Sequence, residues 1–420
     1  MTKYLSLISI TLALWSCSSY TPVAKDNFAY LYDRSVSTIH PQYTVYHVDE
    51  NTTDLFYKIS TSELLYQRLN SESPFEARVR FKYEAYESFA SDRMLDSASV
   101  VVKDVAQSAD EENVLIGKLV IKKIHVPSYY LKITATDLSR ENQDIRVVAV
   151  ERRTENNRQD FLVMDKRNVP LFSDHLEGND TLRIKAEMQA GKKLYCRYYD
   201  REFRLPPPAF TGYEPAKFDY DADSLFELSI NEEGNFDLIT KSKGFYHLQT
   251  DTKNKEGLSL FILDQSFPTV SRVDDLLPPL RYITSLKEFD KINTDAERKK
   301  TIEEFWLKSA GSKERARDVI KAYYSRVENA NFYFTSYIEG WRTDRGLIHI
   351  IFGMPNVIHK SEHSETWVYG EETNIMSLSF TFVKVQNPFT DNDFSLNRDP
   401  IYKTSWYRSV ESWRNGRVYN

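Results

Sequence analysis

The period of the hydrophobic pattern changes once along this chain of 420 residues, and that change constrains the fold more than any other feature. Up to about residue 274, apolar and polar residues alternate in short runs such as residues 77–83, which is typical of half-buried β-strands. From about residue 294, apolar residues recur at three and four positions, which is typical of helices. We therefore predict a multidomain, mainly β chain with an α+β C-terminal part.

The β-rich part divides into two blocks. Residues 28–153 contain roughly seven alternating runs separated by polar turns such as residues 50–54, which is typical of an immunoglobulin-like sandwich. A second block, residues 155–274, contains further runs, with hairpins predicted at residues 189–192 and 230–236. The sequence thus predicts two serial β-sandwich domains of the immunoglobulin-like type.

The helical part begins after residues 275–293, which contain Pro278-Pro279 and are interpreted as a linker. The spacing of Thr294 and Glu297 is that of a capping box, and Gly311 supplies a stop, so one helix is predicted between them. A second helix is predicted from Ser312 on an apolar stripe at helical spacing. We expect the pair to form a helical hairpin packed on a small antiparallel sheet in a last domain, residues 294–420.

The N-terminus resembles a bacterial lipoprotein signal. Lys3 precedes about ten residues of apolar character, too few to span a bilayer. The segment Leu14-Trp15-Ser16-Cys17 resembles a lipobox, with Leu three positions before the modified Cys and a small residue directly before it. Residues 1–17 are therefore interpreted as a lipoprotein signal peptide, Cys17 as the lipidation site and residues 18–27 as a tether. The alternative is a simple secretory peptide with an incidental Cys.

An acylated Cys17 predicts a location in the cell envelope, because two or more acyl chains hold a protein stably on a membrane. Residues 18–25 lack the acidic run that resembles a surface-export signal of Bacteroidetes lipoproteins, so we expect an outer-membrane anchor that faces the periplasm. The serial order of domains would then hold the C-terminal domain at a distance from that membrane. Cys196, the second of two cysteines, is predicted to be a small packed core residue.

A family resemblance begins at Gly340-Trp341-Arg342-Thr343-Asp344-Arg345-Gly346, which precedes a predicted strand at residues 347–352 and Gly353-Met354-Pro355. Together with Glu365-Thr366-Trp367-Val368-Tyr369-Gly370 and the tail around Trp406-Tyr407-Arg408, these segments resemble the GWxTD-domain family of Bacteroidetes lipoproteins. The resemblance covers about residues 296–419. It implies no activity, cofactor or catalytic residue, because none is established for the family.

The motif is therefore interpreted from its chemistry, which favours an architectural role. Trp341 is predicted to bury its ring, and Thr343 is predicted to bond backbone amides. Asp344 is predicted to stay ionised between Arg342 and Arg345, which suits a fixed salt bridge better than a general acid. The residues interpreted as the structural family motif are Gly340, Trp341, Thr343, Asp344, Arg345 and Gly346.

Metal and nucleic-acid chemistry are not predicted. Residues 359–363 spell the H-x-x-E-H pattern of inverted zinc peptidases, but no helical run surrounds them to hold both imidazoles on one face. His349 alternates with isoleucines and is predicted to be a surface or satisfied core histidine on a strand. A net charge of −6 argues against a nucleic-acid partner. No catalytic residue, cofactor or metal ligand is therefore predicted.

These observations predict a membrane-anchored periplasmic lipoprotein that acts as a non-enzymatic scaffold or adaptor in cell-envelope assembly. Its expected partners are the membrane, through acylated Cys17, and envelope proteins. The alternative is an enzyme active on envelope glycan or peptidoglycan, or a carbohydrate-binding protein, because Trp and Tyr rings stack on sugars. The two readings differ in whether Trp341, Trp367, Trp406 and Asp344 line one open cleft or lie in a core.

Overall fold

A computed structural model describes residues 26–418, apart from residues 69, 107–112, 155, 177, 179, 213–217, 241–242, 254–255 and 264–265. The predicted signal peptide with Cys17, and residues 18–25 of the predicted tether, lie outside the described residues. The described chain is mainly β, with its helices concentrated towards the C-terminus, as predicted.

The first seven strands form a β-sandwich, which confirms the prediction for this region. Its sheets have the strand orders β1-β2-β5 and β4-β3-β6-β7, and all pairs are antiparallel. In β3, Val79 and Phe81 are buried between the sheets while Arg78 and Arg80 face water, as the alternation predicts. The strands are β1 (Gln42–Asp49), β2 (Thr52–Ser60), β3 (Phe75–Tyr86), β4 (Met94–Ala106), β5 (Val114–Lys122), β6 (Ser128–Asp137) and β7 (Asn142–Glu151).

The immunoglobulin-like assignment is not confirmed. In the constant-type immunoglobulin order the fourth strand lies beside the fifth, whereas here β4 pairs with β3. As a result β4 and β5 each end their sheet as edge strands within the described residues.

A second sandwich follows, with the strand orders β13-β10-β8 and β12-β11-β14-β15-β9. Cys196 of β11 is fully buried in the core between these sheets, as predicted, and burial raises the pKa of its thiol to about 12. The strands are β8 (Leu162–Met164), β9 (His175–Leu176), β10 (Thr181–Lys185), β11 (Lys193–Tyr199), β12 (Ser224–Ser229), β13 (Asn235–Ile239), β14 (Gly244–Gln249) and β15 (Leu258–Ile262).

The two hairpins predicted in this block are wrong. The turns at residues 189–192 and 230–236 join β10 to β11 and β12 to β13, and in each case the two strands belong to opposite sheets. The turns lie side by side, since the backbone N–H of Gly191 donates to the carbonyl oxygen of Asn231 at 3.2 Å. Turn residues mark a chain reversal, but they do not specify which strand becomes the hydrogen-bonded neighbour.

The C-terminal module consists of helices packed on the antiparallel sheet β16-β17-β18-β19, as predicted. Gly311, at φ +76°, separates α3 from α4, and the Ser312 hydroxyl caps α4 at the N–H of Arg315. The helices are α1 (Val273–Leu276), α2 (Leu286–Thr294), α3 (Arg298–Ala310), α4 (Lys313–Phe334), α5 (Asp344–Phe352) and α6 (Lys403–Arg414). The strands are β16 (Val357–Lys360), β17 (Ser364–Tyr369), β18 (Leu378–Lys384) and β19 (Phe394–Leu396).

Two local predictions in this module are wrong. Thr294 ends α2 instead of capping α3, and the capping box lies at Ser285 and Glu288, inside the segment interpreted as a linker. The predicted strand at residues 347–352 is the second half of helix α5, in which every residue from Asp344 to Ile351 is buried. A short apolar run buried on all sides has no exposed face, so its period does not distinguish a helix from a strand.

The N-terminal strap, residues 27–36, crosses the C-terminal module. The backbone N–H of Phe28 donates to the carbonyl oxygen of Ile358 at 2.9 Å, and the Tyr32 ring is buried against Phe334 and Trp367. The strap contains the short 3-10 helices Ala29–Tyr32 and Arg34–Val36. The C-terminal module therefore lies beside the start of the described chain. The serial order of the domains along the chain therefore does not separate this module from the N-terminal end of the described residues.

Candidate functional site

The motif residues begin with a 3-10 turn, Gly340–Arg342, that is pressed against α4. A Cβ at Gly340 would clash with the carbonyl oxygen of Ala330, and a Cβ at Gly346 would clash with the carbonyl oxygen of Gly340. The two glycines are therefore required by the close approach of two backbones.

Thr343 joins this turn to α5. Its hydroxyl donates to the carbonyl oxygen of Gly340 at 2.8 Å and accepts the N–H of Gly346 at 3.0 Å, so it is the N-cap of the helix. The prediction that Thr343 bonds a backbone amide is confirmed, but the element it caps is a helix.

Asp344 is buried, but its charge partner is not the predicted one. Its carboxylate accepts the backbone N–H of Leu396 at 2.7 Å and a guanidinium N–H of Arg398 at 2.9 Å. The flanking arginines point elsewhere, because neighbours on a helix face different directions. Arg342 pairs with Glu339 at 3.1 Å. The motif therefore fastens β19 and the C-terminal tail to α5.

Arg345 is one of the largest fully buried side chains of the described chain. Its guanidinium lies 3.3 Å from the carboxylate of Glu365 and 4.1 Å from the ring centroid of Phe394, and it also donates to the carbonyl oxygen of Asn392 at 2.9 Å. Buried charges of this kind are stable only when their hydrogen-bonding capacity is filled.

Glu365 is shared by several donors. Lys360 lies 2.6 Å from it, and the hydroxyl of Tyr32 in the N-terminal strap donates to it at 2.7 Å. Burial alone would raise the pKa of Glu365, but the charges of Lys360 and Arg345 outweigh burial and lower that pKa to about 2. Glu365 is therefore ionised at neutral pH. We name Tyr32, Arg345, Lys360 and Glu365 the buried ionic cluster.

His349 lies in the middle of α5 and is fully buried, so the prediction of a strand position with a satisfied side chain is wrong. Neither ring nitrogen has a hydrogen-bond partner among the described residues. Burial, followed by the nearby charge of Arg326, lowers the pKa of His349 to about 3, so the ring is neutral at physiological pH.

The aromatic residues named in the sequence do not share one cleft. Trp367 and Trp406 are buried in the core of the module, whereas Trp341 is half-buried and packs against that core. Trp341 lines a cleft of about 470 Å³ between the second sandwich and the module. Its ring packs edge-on against Tyr282 at a centroid distance of 6.0 Å. Trp341 therefore contributes an aromatic surface to this cleft.

Several carboxylates line this cleft, but most are already engaged. Glu339 pairs with Arg342, and Asp274 pairs with Arg298 at 3.2 Å, while Asp200 and Glu202 stand exposed at the rim. Asp393, whose pKa burial raises to about 6, is not among the residues that line the cleft. The cleft thus combines an aromatic face with polar groups.

The H-x-x-E-H segment folds as a β-hairpin. His359 and Lys360 end β16, residues 361–363 form the turn, and β17 begins at Ser364. His359 lies 2.9 Å from Glu372. The described residues contain no group of three or more candidate metal ligands.

Sequence reasoning missed Arg398, Lys360, Glu365 and Tyr32 as partners of the motif. Lys360 and Glu365 carry one detectable signal, because they are charged residues on strands otherwise rich in β-branched and aromatic residues. Arg398 and Tyr32 carry none, since their partners lie 54 and 333 residues away along the chain.

The comparisons with known proteins bear on the C-terminal part. Residues 244–415 match the family model described as the GWxTD domain, which confirms the predicted resemblance and extends it upstream to β14. Among curated proteins, none shows significant similarity. One similar solved structure is Bacteroides uniformis beta-glucuronidase 2 covalently bound to cyclophellitol-6-carboxylate aziridine, at 12% identity and a TM-score of 0.18. That match covers 33% of this chain and 15% of the other, and a TM-score this low carries no argument.

Proposed function

We propose that this chain, whose residues 244–415 match the GWxTD domain, is a non-enzymatic scaffold or adaptor in cell-envelope assembly. The observation that carries the proposal is the engagement of the motif's charges. Asp344 is bound by Arg398 and Arg345 by Glu365, each within the core. Groups held in this way position other parts of the protein and are not available to a substrate.

The proposed address is the periplasmic face of the outer membrane. It is supported by the lipobox-like segment that ends at Cys17 and by the polar residues that follow it. In the part of the chain that the structure describes, no helix is both long and apolar enough to cross a membrane.

The proposed partner surface is the edge of the first sandwich. Strand β4 has 13 residues and ends its sheet, and Val101 and Val105 on its outer face are about half-exposed. An exposed edge of this length offers unpaired backbone groups to an extended segment of another protein. The partner would be an envelope protein that adds a strand to β4.

The test is cross-linked affinity purification of the tagged protein from native membranes, with Cys17→Ala as the control. We expect a reproducible set of envelope proteins that is lost when the chain moves to the soluble fraction. A second variant, Val101→Lys, should lose the same proteins while remaining membrane-bound, because a charge on an edge strand disfavours strand addition. Recovery of the tagged protein alone from intact membranes would refute the adaptor role.

A second candidate function is carbohydrate binding, and it is favoured by the half-buried Trp341 in the cleft. An aromatic face beside polar groups is the usual composition of a small-ligand site. Titration of the purified protein with peptidoglycan fragments and envelope polysaccharides, followed by Trp fluorescence, would test it. Saturable binding that Trp341→Ala abolishes would support this candidate over the adaptor.

A further inference from the structure

The loop between β17 and β18 exposes two large apolar side chains. Ile375 is 97% and Met376 is 84% exposed, more than any other large hydrophobic residue of the described chain. We call these two residues the apolar tip. An exposed pair of this kind is unfavourable in water, since the free energy of each side chain falls when it leaves water.

The loop that carries the apolar tip has a defined turn conformation. The N–H of Asn374 donates to the carbonyl oxygen of Glu371 at 3.0 Å, and the N–H of Ser377 donates to that of Asn374 at 2.9 Å. The side chain of Asn374 also accepts the N–H of Met376 at 2.9 Å. Because these bonds fix the backbone, the tip is presented outward and does not fold back onto the sheet.

The tip projects from the same end of the module at which the N-terminal strap begins. The backbone carbonyl of Asn356 accepts from the side chain of Asn27 at 2.9 Å, and the side chain of Asn356 accepts from the N–H of Gly370 at 2.7 Å. Asn356 is therefore hydrogen-bonded both to the start of the strap, at Asn27, and to the first residue of the tip loop, Gly370.

The length of chain between Cys17 and Asn27 limits how far this end can lie from an anchored lipid. Ten residues extend at most about 35 Å, at 3.3–3.6 Å for each residue. An acylated Cys17 would therefore keep Asn27, and the Asn356 that it contacts, within about 35 Å of the anchored cysteine.

We propose that Ile375 and Met376 contact the lipid surface in which Cys17 is anchored, as a second and apolar point of attachment for the C-terminal module. The proposal rests on the proposed function, because it requires the acyl anchor. The occupant is lipid, since the tether ends beside the tip. The neighbouring Glu371 and Glu372 are acidic, so the contact is apolar and does not depend on attraction to anionic lipids.

The test uses the full acylated protein, purified in detergent and reconstituted into vesicles of phosphatidylcholine and phosphatidylglycerol. Ile375→Cys carries an environment-sensitive fluorophore, and Cys196 does not compete because its thiol is fully buried with a pKa of about 12. The matched control is Ile239→Cys in β13 of the second sandwich, whose parent side chain is 67% exposed.

We expect the fluorophore at position 375, and not the one at position 239, to shift its emission to shorter wavelength and to be quenched by lipids labelled in their acyl chains. Raising the salt concentration should leave the shift unchanged. If the protein floats with the vesicles but the fluorophore at position 375 stays in water, the lipid contact is refuted while the anchor stands. If the emission shifts in native membranes and not in vesicles, the tip binds a protein and the proposal is also refuted. Failure of the protein to float would refute the anchor itself.

Discussion

The first sandwich and the C-terminal module accommodate charge in different ways. In the sandwich, the buried carboxylate of Asp54 pairs with Lys118, whose side chain is 49% exposed and keeps contact with water. In the module, the side chains of Arg345 and Glu365 are 2% and 1% exposed, and those of Arg398 and Asp344 are 4% and 9% exposed. In these pairs the sandwich leaves one partner solvated, whereas the module removes both partners from water.

This difference separates two ways of specifying a structure. A sandwich core tolerates many exchanges of apolar residues, because it needs only suitable volume and alternation. A buried ion pair needs each named partner, since removal of one leaves the other charge uncompensated. A single conservative substitution in a buried ion pair of the module is therefore expected to lower the free energy of unfolding more than a conservative substitution in the sandwich core does.

The most severe test of this comparison is Glu365→Gln. The variant keeps the size of the side chain but leaves the cations of Lys360 and Arg345 buried without a carboxylate. We expect a loss of about 3–5 kcal/mol in the free energy of unfolding of the module. Urea unfolding followed by Trp fluorescence measures it selectively, because all five tryptophans after residue 15 lie in the module.

The matched control is Glu297→Gln in the same module. Glu297 pairs with Lys300, and both side chains are about two-thirds exposed, so the expected change is below about 1 kcal/mol. Equal losses for the two variants would contradict the claim that a buried ion pair depends on each of its partners.

The second test uses pH. The folded state lowers the pKa of His349 to about 3, so the unfolded chain binds a proton at higher pH than the folded one does. The contribution of neutral His349 to stability is therefore complete above pH 6.5 and is lost as the pH falls towards 3, at up to about 1.4 kcal/mol for each pH unit. Between pH 6.5 and 5 we expect the module to lose about 2 kcal/mol, and His349→Phe to abolish this part of the loss.

Glu365 adds a second, lower window. Because its folded pKa is about 2, its contribution is present above about pH 4.5 and is lost as the pH falls towards 2. Unfolding of the parent and of His349→Phe by urea at several pH values, followed by Trp fluorescence, separates the two windows. An identical slope for both proteins above pH 5 would exclude His349 as the source.

The third test concerns the attachment of the N-terminal strap. In Tyr32→Phe the ring stays against Phe334 and Trp367, but the hydrogen bond to Glu365 is removed. We expect a loss of about 1–2 kcal/mol and faster amide hydrogen exchange in residues 27–36. Tyr407→Phe, at a half-exposed ring in α6, serves as the control and should change neither. Unchanged exchange in the strap would mean that ring packing alone holds it.

The sequence predicts the parts of this fold that depend on local periodicity. The alternation at residues 77–83 and the apolar stripe of α4 are both confirmed, because each element keeps one face in water and one in a core. The run at residues 347–352 has no solvent-facing side, so its period carried no information and the element type was predicted wrongly.

The candidate site was predictable only in part. The need for Gly346 and the hydrogen bonds of Thr343 follow from local backbone geometry within seven residues, whereas Gly340 is required by the approach of α4 at Ala330. The partners of Asp344 and Arg345 do not, since Arg398 and Glu365 are brought to them by the tertiary fold. The position of the strap beside β16 depends on contacts more than 300 residues apart, which no sequence period records.

The last test compares the two tryptophans of the family segment. Trp367 is fully buried, and Trp367→Ala should cost about 3–5 kcal/mol. Trp341 is half-buried and its main ring contact is the edge-on pair with Tyr282, so Trp341→Ala should cost only about 1–2 kcal/mol. Urea unfolding of the two variants, followed by circular dichroism, measures the difference. A loss of about 3 kcal/mol or more for Trp341→Ala would place this ring among the core residues of the module and would remove the reason to look for a ligand in the cleft.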